Sequence, residues 1–418
     1  MKKKNYGSFK TLKQISYERI SGSIEEKKCA QFIFDYCQNK GVEVCIEDFE
    51  VDYFDIKKVS LAYNGKEIEC NGYGMSGSTP EKGITAPFKY IENGNDEVLN
   101  DLEGKIVLLD GRIMYKLYKT LIEKKVVGFI CTSGTVYDNK KDTDLPYGQL
   151  RPRHFENGVI PGVVIRAKDA HNLVLSNPKE ITLTIVQEEG KRTSQNVIAT
   201  IPGNSTNIIG FSAHYDSVQF STGAYDNGTG STAVIELMEY YLNNPHERTL
   251  KFMWFGSEEV GLLGSKAYIE KHKEELKNFD FLINIDMIGV VLGYDIACCS
   301  AEGDLVSYIN YLGKINGFPI KARQGVYSSD STPFADAGVP SLSFARLSSP
   351  GGAQIHTRKD VIDFLDEKNY YKTCEFMELF SDSFVNAVNF PVSKDMPDAV
   401  KKDLDKYSGR DEEKKEVK

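Results

Sequence analysis

The stretch IIGFSAHYDSVQFSTGAYDNGTGSTAVIELMEYYLNNPHERTLKFMWFG, residues 208–256, decides the fold. It opens on an apolar run, 208–218, that reads as a strand. A loop with three glycines follows, and then STAVIELMEYYL (231–242), whose apolar spacing predicts a helix. LKFMWFG (250–256) returns to an apolar strand. The same alternation extends outward. NVIATIPG (196–203), FLINIDMIG (281–289) and SLSFAR (341–346) read as strands; 261–276, 304–317 and 367–389 read as helices. Strands apolar along almost their whole length need cover on both faces. The expected fold class is therefore α/β: a doubly wound, mostly parallel mixed sheet flanked by helices.

The chain has 418 residues, and domains typically run about 50–200 residues, so more than one is expected. Residues 56–188 differ in pattern, with short alternating runs such as KIVLLDG (105–111) and VVGFICTSG (126–134) between turn residues. This region is expected as a β-rich domain inserted into a discontinuous main domain, 8–55 and 189–392. In the first part of the main domain, 21–41 reads as an amphipathic helix capped by Ser23, with Glu26 completing a capping box. Residues 393–418 are dense in Lys, Asp and Glu and are expected to form a disordered tail.

A formal net charge of −9 argues against a phosphate-backbone partner. The lysines at the start lead into no apolar segment, so no signal peptide is expected, and no long apolar run predicts a membrane span. The eight cysteines form no CxxC pair or regular framework, which points to buried thiols in a reducing cytoplasm.

Chemistry concentrates at the ends of the expected strands. AHYDSV (213–218) sets His214 and Asp216 two positions apart, on one side of a strand. In that position Asp216 can hold the His214 ring, as a carboxylate does for a metal-binding His. Asp226 stands among glycines before a helix, where an N-cap role is the simpler alternative. GSEEVG (256–261) brings Glu258 and Glu259 together, a costly pairing unless a cation or proton compensates. Asp286 lies in an apolar strand and needs a partner, and His356 follows a glycine-rich loop. Each feature alone is ambiguous. Together they give two His, two Asp and one Glu at the edge where doubly wound sheets place their sites. That donor mix suits Zn²⁺. With five ligands, one carboxylate must bridge two metals if each metal is to have three.

The ordered set AHYDSV, GAYDNGTGS, GSEEVGLLGS, NIDMIG, SSDSTPFADAGVPS and IHTRKD, with RISGS at 19–23, resembles the M28-type zinc aminopeptidases, two-zinc co-catalytic metallopeptidases. The resemblance implies two Zn²⁺ per chain, with Co²⁺ or Mn²⁺ compatible with the same ligands. It assigns His214 and Asp286 to one metal, Glu259 and His356 to the other, and Asp226 to the bridge. It makes Glu258 the general base, activating a water shared by the metals, and Asp216 the residue that orients His214. The implied substrates are peptides with a free N-terminus. The inserted region is similar to a protease-associated domain, through LEGKIVLLDG, LIEKKVVGFICTSG and IPGVVIRAKDAHNLV. Two departures stand out. A basic residue and a His often flank the Ser-Asp of SSDSTPF, where this chain has Ser328 and Ser331. A Tyr often precedes the last His, where this chain has Ile355. That Tyr helps stabilise a tetrahedral oxyanion, so its role falls to the metals or to another residue.

Of the remaining histidines, His246 and His272 read as surface residues and His154 as structural. Two rivals stand beside the aminopeptidase reading: a carboxypeptidase, dipeptidase or deacylase on the same site, and a binding protein on a dead peptidase scaffold. The second would be expected to have lost ligands or the base, and all are present.

Overall fold

A computed structural model describes residues 5–141, 143–155 and 158–410. The chain divides into two compact units, one of Met1–Val51 with Thr193–Lys418 and one of Asp52–Arg192.

The first unit is built on a mixed sheet. Its strands are β1 (197–201 of the strand Glu180–Ile201), β2 (Ser205–His214), β3 (Arg248–Phe255), β4 (Phe279–Ile285), β5 (Gly293–Ser300), β6 (Ile320–Gln324) and β7 (Ser341–Ser348). They lie in the order β6-β5-β7-β4-β2-β3-β1. Strand β2 runs parallel to β3 and β4, and β4 runs parallel to β7. Strand β1 is antiparallel to β3, and β5 to β7. Helices α1 (Ser8–Ile15), α2 (Ile24–Asn39), α3 (Thr229–Leu242), α4 (Leu263–Lys271), α5 (Gly303–Ile315), α6 (Ser331–Asp336), α7 (Glu367–Val385) and α8 (Asp398–Ser408) accompany it.

The period of two along β3 explains why the sheet needs cover on both sides. Phe252 and Trp254 join a core with Phe211, Leu237 and Tyr241 on one face. Met253 and Phe255 join Tyr268 of α4 and Phe334 of α6 on the other. Phe211 and Phe252 stack at 5.1 Å, and truncating either to Ala should cost about 3–5 kcal/mol. Trp254 is fully buried and donates its indole N–H to the Ser231 carbonyl at 2.9 Å, tying β3 to the first turn of α3.

The second unit has its own apolar clusters, one around Tyr118, Leu121 and Phe129 and one around Ile106, Ile130 and Ile165. Strands Ile84–Tyr90, Ile106–Leu108, Gly128–Ser133 and Gly162–Arg166 pair in parallel, each with the next.

The stretch expected as a disordered tail is corrected in part. Asp398–Ser408 forms α8, closed by Gly409 at φ 80°. Val400 and Leu404 bury against Ala335, and Arg410 pairs with Asp336, so a few apolar residues at helical spacing suffice to dock a mostly charged helix. Residues 411–418 lie outside the described residues. No helix among the described residues is long and apolar enough to cross a membrane.

Candidate metal centre

The parallel strands β2, β3, β4 and β7 end at one edge of the sheet. His214 is the last residue of β2, Glu258 and Glu259 follow β3, Asp286 follows β4, and His356 lies in the loop after β7. The backbone leaves these strands sharply: Ser257, Met287 and His356 have φ of 57°, 65° and 58°. Left-handed non-glycine residues of this kind gather at functional sites. Asp226 sits in a tight turn, Ala224–Gly228, stitched to the end of β4 by Asn227. The Asn227 side chain donates to the Ile285 carbonyl at 2.9 Å and accepts from the Met287 N–H at 3.0 Å. Gly230 is required there, because a Cβ would fall 2.4 Å from the Ile285 carbonyl oxygen.

The five proposed ligands come together in two groups that share Asp226. His214, Asp226 and Asp286 form one and Asp226, Glu259 and His356 the other, with the ligand atoms of each group within 4.8 Å of one another. Asp226 divides its oxygens between them. Oδ1 is 3.3 Å from His214 Nε2, and Oδ2 is 3.1 Å from His356 Nε2. His356 Nε2 is also 3.0 Å from Glu259 Oε2. Asp216 is fully buried, its Oδ1 3.3 Å from His214 Nδ1. The same carboxylate accepts the backbone N–H groups of Glu258 at 3.0 Å and Glu259 at 3.2 Å.

This is a dense cluster of acids around two imidazoles. Burial opposes protonation of His214, but Glu258, Asp216, Asp226 and Asp286 outweigh it and hold its pKa well above the usual imidazole value. Burial also opposes protonation of His356, yet Asp226 and Glu259 raise it to about 10. Burial and Asp226 push Glu259 up to about 7. Burial, with Glu259, Asp330 and Asp286, pushes Glu258 well up. Burial works against ionisation of Asp226, but His214 and His356 hold its carboxyl below the usual range. Buried acids in such surplus call for added positive charge. Glu259 Oε1 and Asp286 Oδ1 are buried with no hydrogen-bond partner among the described residues. Orphaned carboxylate oxygens grouped with imidazole nitrogens fit divalent-cation binding.

Residues 196–380 match the family model described as Peptidase family M28. The chain carries a peptidase family M28 domain. It is thereby a hydrolase of the metallopeptidase class. Over 96% of its length the chain is 29% identical to aminopeptidase YwaD of Bacillus subtilis (strain 168), covering 87% of that protein. It is 28% identical to leucine aminopeptidase 2 of Trichophyton equinum over 65% of this chain, and spans about half (54%) of that relative. The solved structure of BSAP, a zinc aminopeptidase from Bacillus subtilis, superposes with a TM-score of 0.76 at 26% identity, covering 94% of this chain and 98% of that one.

The M28 domain also contains supporting acids that the sequence pattern did not single out. Asp360 is buried and accepts the N–H groups of Tyr225 at 2.7 Å and Asp226 at 3.2 Å; burial and then Asp226 raise it to about 6. It stands inside the IHTRKD motif, and that is the signal that marks it. Asp330, in SSDSTPF, accepts from Ser265 Oγ at 2.6 Å and leaves Oδ2 buried without a hydrogen-bond partner among the described residues. The two serines of the first departure make internal contacts instead: Ser328 Oγ lies 2.8 Å from Tyr407 Oη, and Ser331 Oγ 2.7 Å from Ser343 Oγ. Ile355 is 36% exposed beside His356.

Proposed function

We propose that this protein is a two-zinc aminopeptidase. The reading puts His214, Asp286 and Asp226 on one ion and His356, Glu259 and Asp226 on the other. The observation that carries it is the split carboxylate of Asp226, one oxygen toward each histidine. The names of the relatives, aminopeptidases in each case and a zinc enzyme in one, support the reaction class and the metal.

Bound zinc supplies Lewis acidity, polarising a carbonyl and acidifying a water. The remaining work belongs to this chain. Glu258, free of the two ligand groups, accepts a proton from the attacking water and passes it to the leaving amine. Asp216 orients His214 from behind and holds the Glu258 and Glu259 amides, so base and ligand keep a fixed separation. The surplus of carboxylate suits a substrate that presents a free α-amine. Residues 56–188, which fall within the unit Asp52–Arg192, are read as a protease-associated-like domain on their strand and helix pattern. The eight free cysteines support a reducing, cytoplasmic setting.

The test is elemental analysis of the purified protein with an aminoacyl-anilide panel before and after chelation. About two zinc ions per chain and chelator-sensitive release of a free N-terminal residue are expected. Cleavage only of peptides with a blocked N-terminus would move the site to carboxypeptidase or deacylase chemistry. A protein that cannot be loaded with zinc would sink the reading.

A further inference from the structure

The Glu26 side chain lies beyond the metal centre but is bonded into the loop that carries Glu258. In the capping box expected from sequence, Glu26 would reach back to the N–H of Ser23. Ser23 does cap α2, accepting the Glu26 N–H at 3.0 Å. The Glu26 carboxylate goes elsewhere. It is fully buried, and its Oε2 accepts the Gly22 N–H at 2.7 Å. Its Oε1 accepts the Ser257 N–H at 3.0 Å, Ser257 Oγ at 3.1 Å and Ser194 Oγ at 2.9 Å. Ser257 immediately precedes Glu258 and is held at φ 57°, a conformation that a non-glycine residue adopts at a cost. Three successive amides, of Ser257, Glu258 and Glu259, therefore point at two buried carboxylates: the first at Glu26, the others at Asp216. The approach is close, since a Cβ on Gly256 would lie 2.9 Å from Glu26 Oε1.

We propose that Glu26 is a positioning residue for the catalytic base. By holding Ser257 in its left-handed turn it sets where the Glu258 side chain leaves the backbone. This rests on the reading of Glu258 as the base. A misplacement of about 1 Å in a reacting group costs on the order of a hundredfold in rate.

The experiment compares wild type, Glu26→Ala, Glu26→Ala/Ser257→Gly and Glu258→Gln in the full zinc-loaded chain, reading kcat, KM, zinc content and Tm. Glu26→Ala should lower kcat by about tenfold to a hundredfold, with KM within about threefold of wild type and zinc retained. Glycine adopts positive φ freely. Placing it at 257 in the Glu26→Ala background should therefore restore much of kcat without restoring Tm. A merely structural Glu26 would not be rescued that way. Wild-type kcat in folded Glu26→Ala overturns the inference, as does a loss that tracks zinc content and does not respond to Ser257→Gly. An inactive wild type or an active Glu258→Gln overturns the parent reading, and this one with it. An active wild type with an inactive Glu258→Gln leaves the parent reading standing whatever Glu26→Ala shows.

Discussion

Asp360 Oδ2 accepts the backbone N–H of Asp226 at 3.2 Å, so a buried acid from the loop after β7 holds the residue shared by both ligand groups. Asn at 360 would offer only one acceptor oxygen to the two amides of Tyr225 and Asp226. Partners that stand behind metal ligands typically contribute about 10–100-fold to metal affinity. Asp360→Asn should weaken zinc binding by a factor in that range while the chain stays folded, as read by a competitive chelator titration.

Glu258→Gln keeps the size and removes the proton acceptor. General base catalysis is worth about 10²–10⁴-fold, so turnover of an aminoacyl anilide should fall at least that far with zinc content unchanged. Near-normal turnover would reassign the base.

Removing the metals should destabilise the chain in a pH-dependent way. In the metal-free protein His356 is raised from 6.5 to about 10 and Glu259 from 4.5 to about 7. Both folded values lie above the unfolded ones, so the folded state holds these protons more tightly. The stability they contribute is full below the unfolded pKa values and is lost as pH rises through about 7 and then about 10. The gap in Tm between zinc-loaded and stripped protein should therefore widen from pH 6 toward pH 10. A gap that is flat or narrows over that span would show that these groups do not govern the site.

His154 predicts the opposite slope in the second unit. Burial, with Arg153 and Arg151 nearby, lowers its pKa from 6.5 to about 4, and its ring lies 5.8 Å and 5.7 Å from those of Tyr115 and Tyr118. The unfolded chain binds this proton more readily, so stability falls as pH drops from about 6.5 to about 4. His154→Phe should flatten that limb of a Tm against pH profile and leave the alkaline limb alone.

How much of this was legible in the sequence follows from what each feature depends on. Strands β2, β3 and β4 announce themselves because burial on both faces writes a continuous apolar run. Strand β5 does not: it carries Asp295, whose buried carboxylate is met by Arg346 of β7 at 2.6 Å and by Thr373 at 2.9 Å. The proposed ligands could be singled out because most lie at or just beyond a strand end, each within a compact motif. The Ser23 cap was readable, but the Glu26 carboxylate turns from the expected Ser23 N–H to Ser257, since nothing local to Glu26 encodes a contact with a residue so distant in sequence. Helix α8 was hidden by its charge, with Val400 and Leu404 alone marking a buried face.

Arg19 is fully buried with no carboxylate partner among the described residues; its guanidinium donates to the carbonyls of Ile15, Tyr17, Tyr215, Thr222 and Gly223. Three of those acceptors, like the Ser194 and Ser257 that Glu26 meets, come after the whole unit Asp52–Arg192. On the ribosome, Arg19 and Glu26 emerge before their distant partners Tyr215, Thr222, Gly223 and Ser257, with the whole unit Asp52–Arg192 made in between. The amino-terminal segment thus cannot complete these contacts until residues 215–257 have been made, while the excursion between can settle first. The order of synthesis and the order of assembly are uncoupled in this chain, and closure of the main unit is a late, long-range event.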